Sequence, residues 1–254
     1  MRIINLLGVG LFPLSLCLLL PVFTYNIVLE KEQKLIEIMK MNGMRMKNYW
    51  MVQFCFNFIL YFITVVIFFL FGWLVLGLSW FSQTNILVLI LFFVAWGFAQ
   101  ICLAFFFSVL MNKAQTASII GYLLSIWVTL TAITFNATLY SYPEEVSWWL
   151  MLYPNFPYTR FLYLTAYHCA YGQCNSTIAS FDWEAWKCII LLFTEGLIVG
   201  VLALYLNEIV PQTYGVPKHP FFPCRDYICK KPKRNVEELD ELEEARTPSD
   251  FDAS

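Results

Sequence analysis

The sequence predicts an all-α membrane protein of about five transmembrane helices, with a short surface helix after the first and a helical hairpin re-entering the bilayer from outside. Three observations lead there. Apolar residues fill 59% of 254 positions and charged residues only 13%, a balance that a water-soluble domain of this size could not shield from solvent. Several apolar runs reach the roughly 20 residues that a helix needs to cross a bilayer core of about 30 Å. The charges are gathered into a few short stretches between and after those runs.

The spans fall at about 3–26, 49–77, 85–111, 115–138 and 186–209. The first follows Arg2 and is Leu-rich, but it is too long for a signal-peptide core and lacks a small-residue exit, so it counts as a span. Small residues recur every four positions at Ala117, Gly121, Ser125 and Thr129, while Gly196 with Gly200 and Ala95 with Ala99 make shorter steps. Such faces let helices approach closely, within the chain or against a second copy. Glu195 is the one acid deep in a span. A charge there is costly unless paired, protonated or wetted. A functional group and a neutral carboxyl bonded to Thr129 or Ser125 are equally open readings.

Lys and Arg set the orientation. Between the first two spans stand Lys31, Lys34, Lys40, Arg45 and Lys47, and after the last stand Lys218, Arg225, Lys230, Lys231, Lys233, Arg234 and Arg246. Basic loops stay cytoplasmic, which places the amino terminus outside or in a lumen and the carboxyl terminus inside. The sequons at Asn136 and Asn175 then fall on the outer side, as candidate glycosylation sites, with Asn175 the better acceptor. Cys169 and Cys174 share that side, where a disulfide is permitted; bridged and free states stand at even odds. Cys17, Cys55, Cys102 and Cys188 serve as small apolar filler.

Glu30 to Asn42 reads as an amphipathic surface helix, since Leu35, Ile38, Met39 and Asn42 follow helical spacing, and Gly43 suits its C′ end. A mere interfacial anchor is the plain alternative. On the outer side, residues 143–168 read as two short apolar helices broken at Pro154 and Pro157, forming the re-entrant hairpin. A loop resting on the outer surface fits the composition nearly as well. Residues 211–236 form a Pro-rich basic exit segment, and 237–254 an acidic tail or linker.

The sequence holds no H-E-x-x-H, no G-x-S-x-G and no G-x-x-x-x-G-K-[ST]. No catalytic, cofactor-binding or metal-binding residue is therefore assigned, no nucleic-acid partner is expected, and the chain should not hydrolyse ATP by itself.

The block Glu30, Lys31, Glu32, Leu35, Glu37, Met39, Lys40 and Gly43 resembles the first cytoplasmic loop of the A subfamily of ATP-binding cassette exporters. Tyr214-Gly215-Val216-Pro217 and Phe222-Pro223-Cys224 are similar to that family's exit segment. The resemblance implies a type-V exporter fold, with these spans matching the family's second to sixth and residues 143–168 its external helices. It implies that the eight loop residues form a coupling helix seated in a nucleotide-binding domain, which would carry ATP and Mg²⁺ outside this chain. It also implies lipid as cargo and a second transmembrane half, or a homodimer, as partner. The competing readings are an ATP-independent scramblase, a regulatory partner dimerising through its glycine faces, and a fragment without function.

Overall fold

The computed structural model describes residues 12–74, 83–141, 146–171 and 174–210, with Gly10, Gly77 and Glu144 besides. The exit segment 211–236 and the acidic tail 237–254 lie outside the described residues. Helix α1 covers Leu19–Glu32 and completes a first span over Phe12–Glu32. A short α2 (Leu35–Met41) leads into α3 (Met46–Leu74), α4 (Ile86–Leu110) and α5 (Ala114–Thr138). The 3-10 turn Leu150–Leu152, α6 (Asn155–Ala170), the 3-10 turn Ile178–Ser180 and α7 (Trp183–Ile209) complete the described chain. Five of these helices are long and apolar enough to cross a membrane.

Helix α4 is the axis. It packs against α7, α1 and α3, while α5 lies on the far side of α1 and α6 sits against α5 and α7. Small residues set these approaches. A methyl on Gly196 would stand 2.7 Å from the Phe98 ring and 3.1 Å from Ala99 Cα, and one on Gly121 would stand 2.9 Å from Pro21 Cβ. The glycine stripes of α5 and α7 are thus occupied by α1 and α4 of the same chain. This corrects the reading in which those faces dimerise: the volume that a second copy would need is already filled.

The first span runs further than expected, to Glu32 rather than residue 26, because nothing breaks it until Lys34 turns left-handed at φ 60°. Near its start, Pro21 has no N–H to offer the carbonyl of Cys17, four residues earlier. Gln100 of α4 fills that need, its Nε2 donating to Leu16 O at 2.7 Å and Cys17 O at 3.4 Å. A backbone carbonyl without a donor in hydrocarbon is expensive, so the amide stabilises the break.

The segment expected to form the re-entrant hairpin also departs from expectation. Among the described residues its first limb is the turn Leu150–Leu152, and the chain breaks at Tyr153–Pro154 before α6. Pro157 falls inside the first turn of α6, where a missing N–H leaves no intrahelical bond unmade. Most of α6 is buried, including Tyr158, Arg160, Phe161 and Leu162. Its Tyr158 stacks on Trp96 of α4 with ring centroids 4.1 Å apart. The expected second limb is therefore a core helix of the bundle, held by aromatic packing.

Candidate functional site

The loop block of eight residues divides into two groups. Leu35, Glu37, Met39 and Lys40 lie on α2, which has no buried residue, and Leu35, Ile38 and Met41 expose 41%, 47% and 80% of their surface. Gly43, at φ 83°, closes the helix: its N–H donates to Lys40 O at 3.0 Å and that of Met44 to Met39 O at 3.1 Å. These two bonds are the Schellman ending, which needs a residue free to turn left-handed. The result is a short helix with a firm stop and an uncovered apolar side.

Glu30, Lys31 and Glu32 are placed differently. They form the last turn of α1, and their side chains bond within the chain. The Tyr49 hydroxyl donates to Glu30 Oε2 at 2.7 Å, tying the start of α3. Lys31 Nζ donates to Val109 O at 3.4 Å and Met111 O at 3.3 Å, where α4 ends. Glu32 Oε2 accepts from the N–H of Ala114 at 2.8 Å, the first residue of α5. A cation on terminal carbonyls and a carboxylate on a first-turn N–H both suit the helix dipoles. A small apolar cluster of Val28, Ala114 and Ala117 lies beneath. Of the eight residues expected in one coupling helix, these three therefore lie in α1 rather than in α2.

Glu195 lies on the α7 face buried against the bundle, 5% exposed, and neither carboxylate oxygen has a hydrogen-bond partner. Thr129, offered as a partner, donates instead to Ser125 O and accepts from Asn155 Nδ2. Cys169 and Cys174 are joined as a disulfide at the end of α6. Beside it His168 Nε2 and Asp182 Oδ2 are 2.8 Å apart, and Asn85 both caps α4 and bonds to the Asn175–Ser176 backbone. Asn136 is buried in α5 and donates to Ala132 O and Thr159 Oγ1, so no glycan can leave from it in this fold. Asn175 is also buried, at 6% exposure.

Two features had weak signals in the sequence. Arg160, which no local sequence pattern singles out, is fully buried and ion-paired to Glu184. On α3 the buried residues Tyr49, Gln53, Asn57 and Tyr61 recur every four positions and form that helix's inward ridge. That spacing is visible in the sequence. Above it, α3 and α4 part around an apolar cavity of about 220 Å³ lined by Phe62, Val65, Phe69, Leu89 and Phe93. The hydroxyl of Tyr61, which also lines it, is spent on Phe93 O.

Five helices able to cross a membrane, found among the described residues, make this a multi-pass membrane protein. Residues 2–205 match the family model described as ABC-2 family transporter protein, and the chain belongs to that family. ABC transporter A family member 9 of Dictyostelium discoideum is 32% identical over 87% of this chain, and member 7 of the same organism 31% over 88%. Member 12 of Arabidopsis thaliana is 29% identical over 87%. The chain spans about a quarter of the length of these relatives, 26%, 26% and 24%.

Proposed function

We propose that this chain is the membrane domain through which an ATP-binding cassette transporter moves lipid or another hydrophobic substrate, with ATP and Mg²⁺ held by a nucleotide-binding partner. The observation that carries this reading is α2, a short helix with an exposed apolar side and a rigid glycine stop, placed where two spans meet. Leu35, Ile38 and Met39 would pack in the partner's groove while Glu37 and Lys40 pair at its edge. The apolar cavity between α3 and α4 supports a hydrophobic cargo. Similarity to A family transporters over most of the chain supports the same assignment and a second membrane half as further partner.

In this reading α2 is cytoplasmic, the carboxyl terminus lies inside, and the disulfide faces an oxidising compartment. Reconstitution of the chain with an A family nucleotide-binding subunit in fluorescent-lipid vesicles tests it. ATP-dependent loss of labelled lipid from one leaflet is expected. Equal lipid movement without ATP would replace the reading with the scramblase.

A further inference from the structure

We infer that Glu30, Lys31 and Glu32 are positioning residues that weld α2 to the α4–α5 turn, so that the surface presented to the ATP-driven partner is composite: α2 together with Met111, Asn112 and Lys113. The inference rests on the coupling role proposed above for α2, but its mechanical half does not depend on a motor.

The geometry is specific. Three consecutive side chains at the end of α1 reach three other helix ends: Tyr49 near the start of α3, Val109 and Met111 at the end of α4, and Ala114 at the start of α5. Only Gln33 and Lys34 separate Glu32 from Leu35, and both amides of that link are bonded back into α1, Gln33 N to Leu29 O and Lys34 N to Lys31 O. The link has little slack. A push on α2 therefore reaches α1 directly and, through Lys31 and Glu32, the turn that joins α4 to α5. Without the three side chains the same push would reach α1 and α3 only along the backbone.

The corner also has a chemical character. Lys40 on α2, Arg45 and Lys47 just after it and Lys113 in the α4–α5 turn are exposed, as are the apolar Leu35, Ile38 and Met41. An occupant that matches is a protein groove with an apolar floor and an acidic rim, and charge complementarity at such a rim would set docking orientation and rate.

Hydrogen exchange on the full chain in phosphatidylcholine nanodiscs tests the weld. Lys31→Met and Glu32→Leu should each speed exchange roughly tenfold in the first turn of α5 and in α2, the loss of a charge-assisted bond. Glu32→Gln keeps an oxygen for Ala114 and should retain the original protection. Tyr49→Phe, which deletes only a hydroxyl, should loosen α2 even if the other variants fail to fold. Faster exchange in α5 with α2 unchanged in every variant would overturn the weld. A second arm adds an A family nucleotide-binding subunit with Mg-ATP. Protection of both α2 and Met111–Lys113 is expected; protection of α2 alone overturns the composite surface. Protection of neither overturns the proposed coupling role, while the first arm still decides the weld.

Discussion

Arg160 grips Glu184 with two bonds, Nε to Oε1 at 2.9 Å and Nη2 to Oε2 at 3.1 Å, while the rest of its guanidinium donates to the carbonyls of Tyr140 and Glu144. One fully buried side chain thereby joins α6, the start of α7 and the chain leaving α5. Arg suits the place because its planar fork satisfies four acceptors at once, which a lysine ammonium cannot match in geometry.

Arg160→Met should destabilise the protein by about 3–5 kcal/mol, since it leaves the Glu184 carboxylate and two carbonyls without their donor. Arg160→Lys should recover less than half of the loss. Melting curves in one fixed nanodisc composition decide; equal melting temperatures for all three proteins would show that the pair contributes nothing.

Gly97→Ala should cost about 1–3 kcal/mol, because the added methyl would enter the ring of Tyr61. Displacing the ring would strain the bond from its hydroxyl to Phe93 O. The same substitution made together with Tyr61→Leu should be nearly neutral relative to Tyr61→Leu alone. A double-mutant cycle on thermal stability reads this coupling.

Glu195→Met should raise stability by about 1–3 kcal/mol, as a buried carboxyl without any partner is exchanged for an apolar chain of similar size. If Glu195 serves transport, the gain comes with a loss of activity, and Glu195→Gln shares the loss. Lipid movement by the reconstituted transporter is the measurement. Full activity in both variants would leave Glu195 without a transport role.

Lys40→Glu should lower substrate-stimulated ATP hydrolysis in the assembled transporter several-fold without changing the stability of this chain, because Lys40 is exposed on a helix that buries nothing. Unaltered stimulation would remove Lys40 from the contact. Lys31→Met differs in kind: it should alter both coupling and local protection.

The spans were legible because length and hydropathy decide them, and their limits shifted by only a few residues at most ends. The first span differs at its C-terminal end, where Glu30, Lys31 and Glu32, expected in the surface helix, belong to α1. A charge run in sequence does not reveal that its members have backbone partners at Val109, Met111 and Ala114, about eighty positions away. The same distance problem hid Arg160, whose acceptors come from three segments. Asn136 shows the converse: a sequon is a local pattern, but exposure is settled by α6 packing across α5. Gly43, by contrast, acts through its own backbone, and the sequence placed it correctly.

Gln100 enters the chain 84 positions after Leu16. During synthesis the opening helix must therefore wait in the translocation machinery, or in lipid, with a gap in its ladder that only a much later segment can mend. Settling of α1 is thus tied to the arrival of α4, and a chain truncated before residue 100 should show α1 less protected from hydrogen exchange than in the full chain.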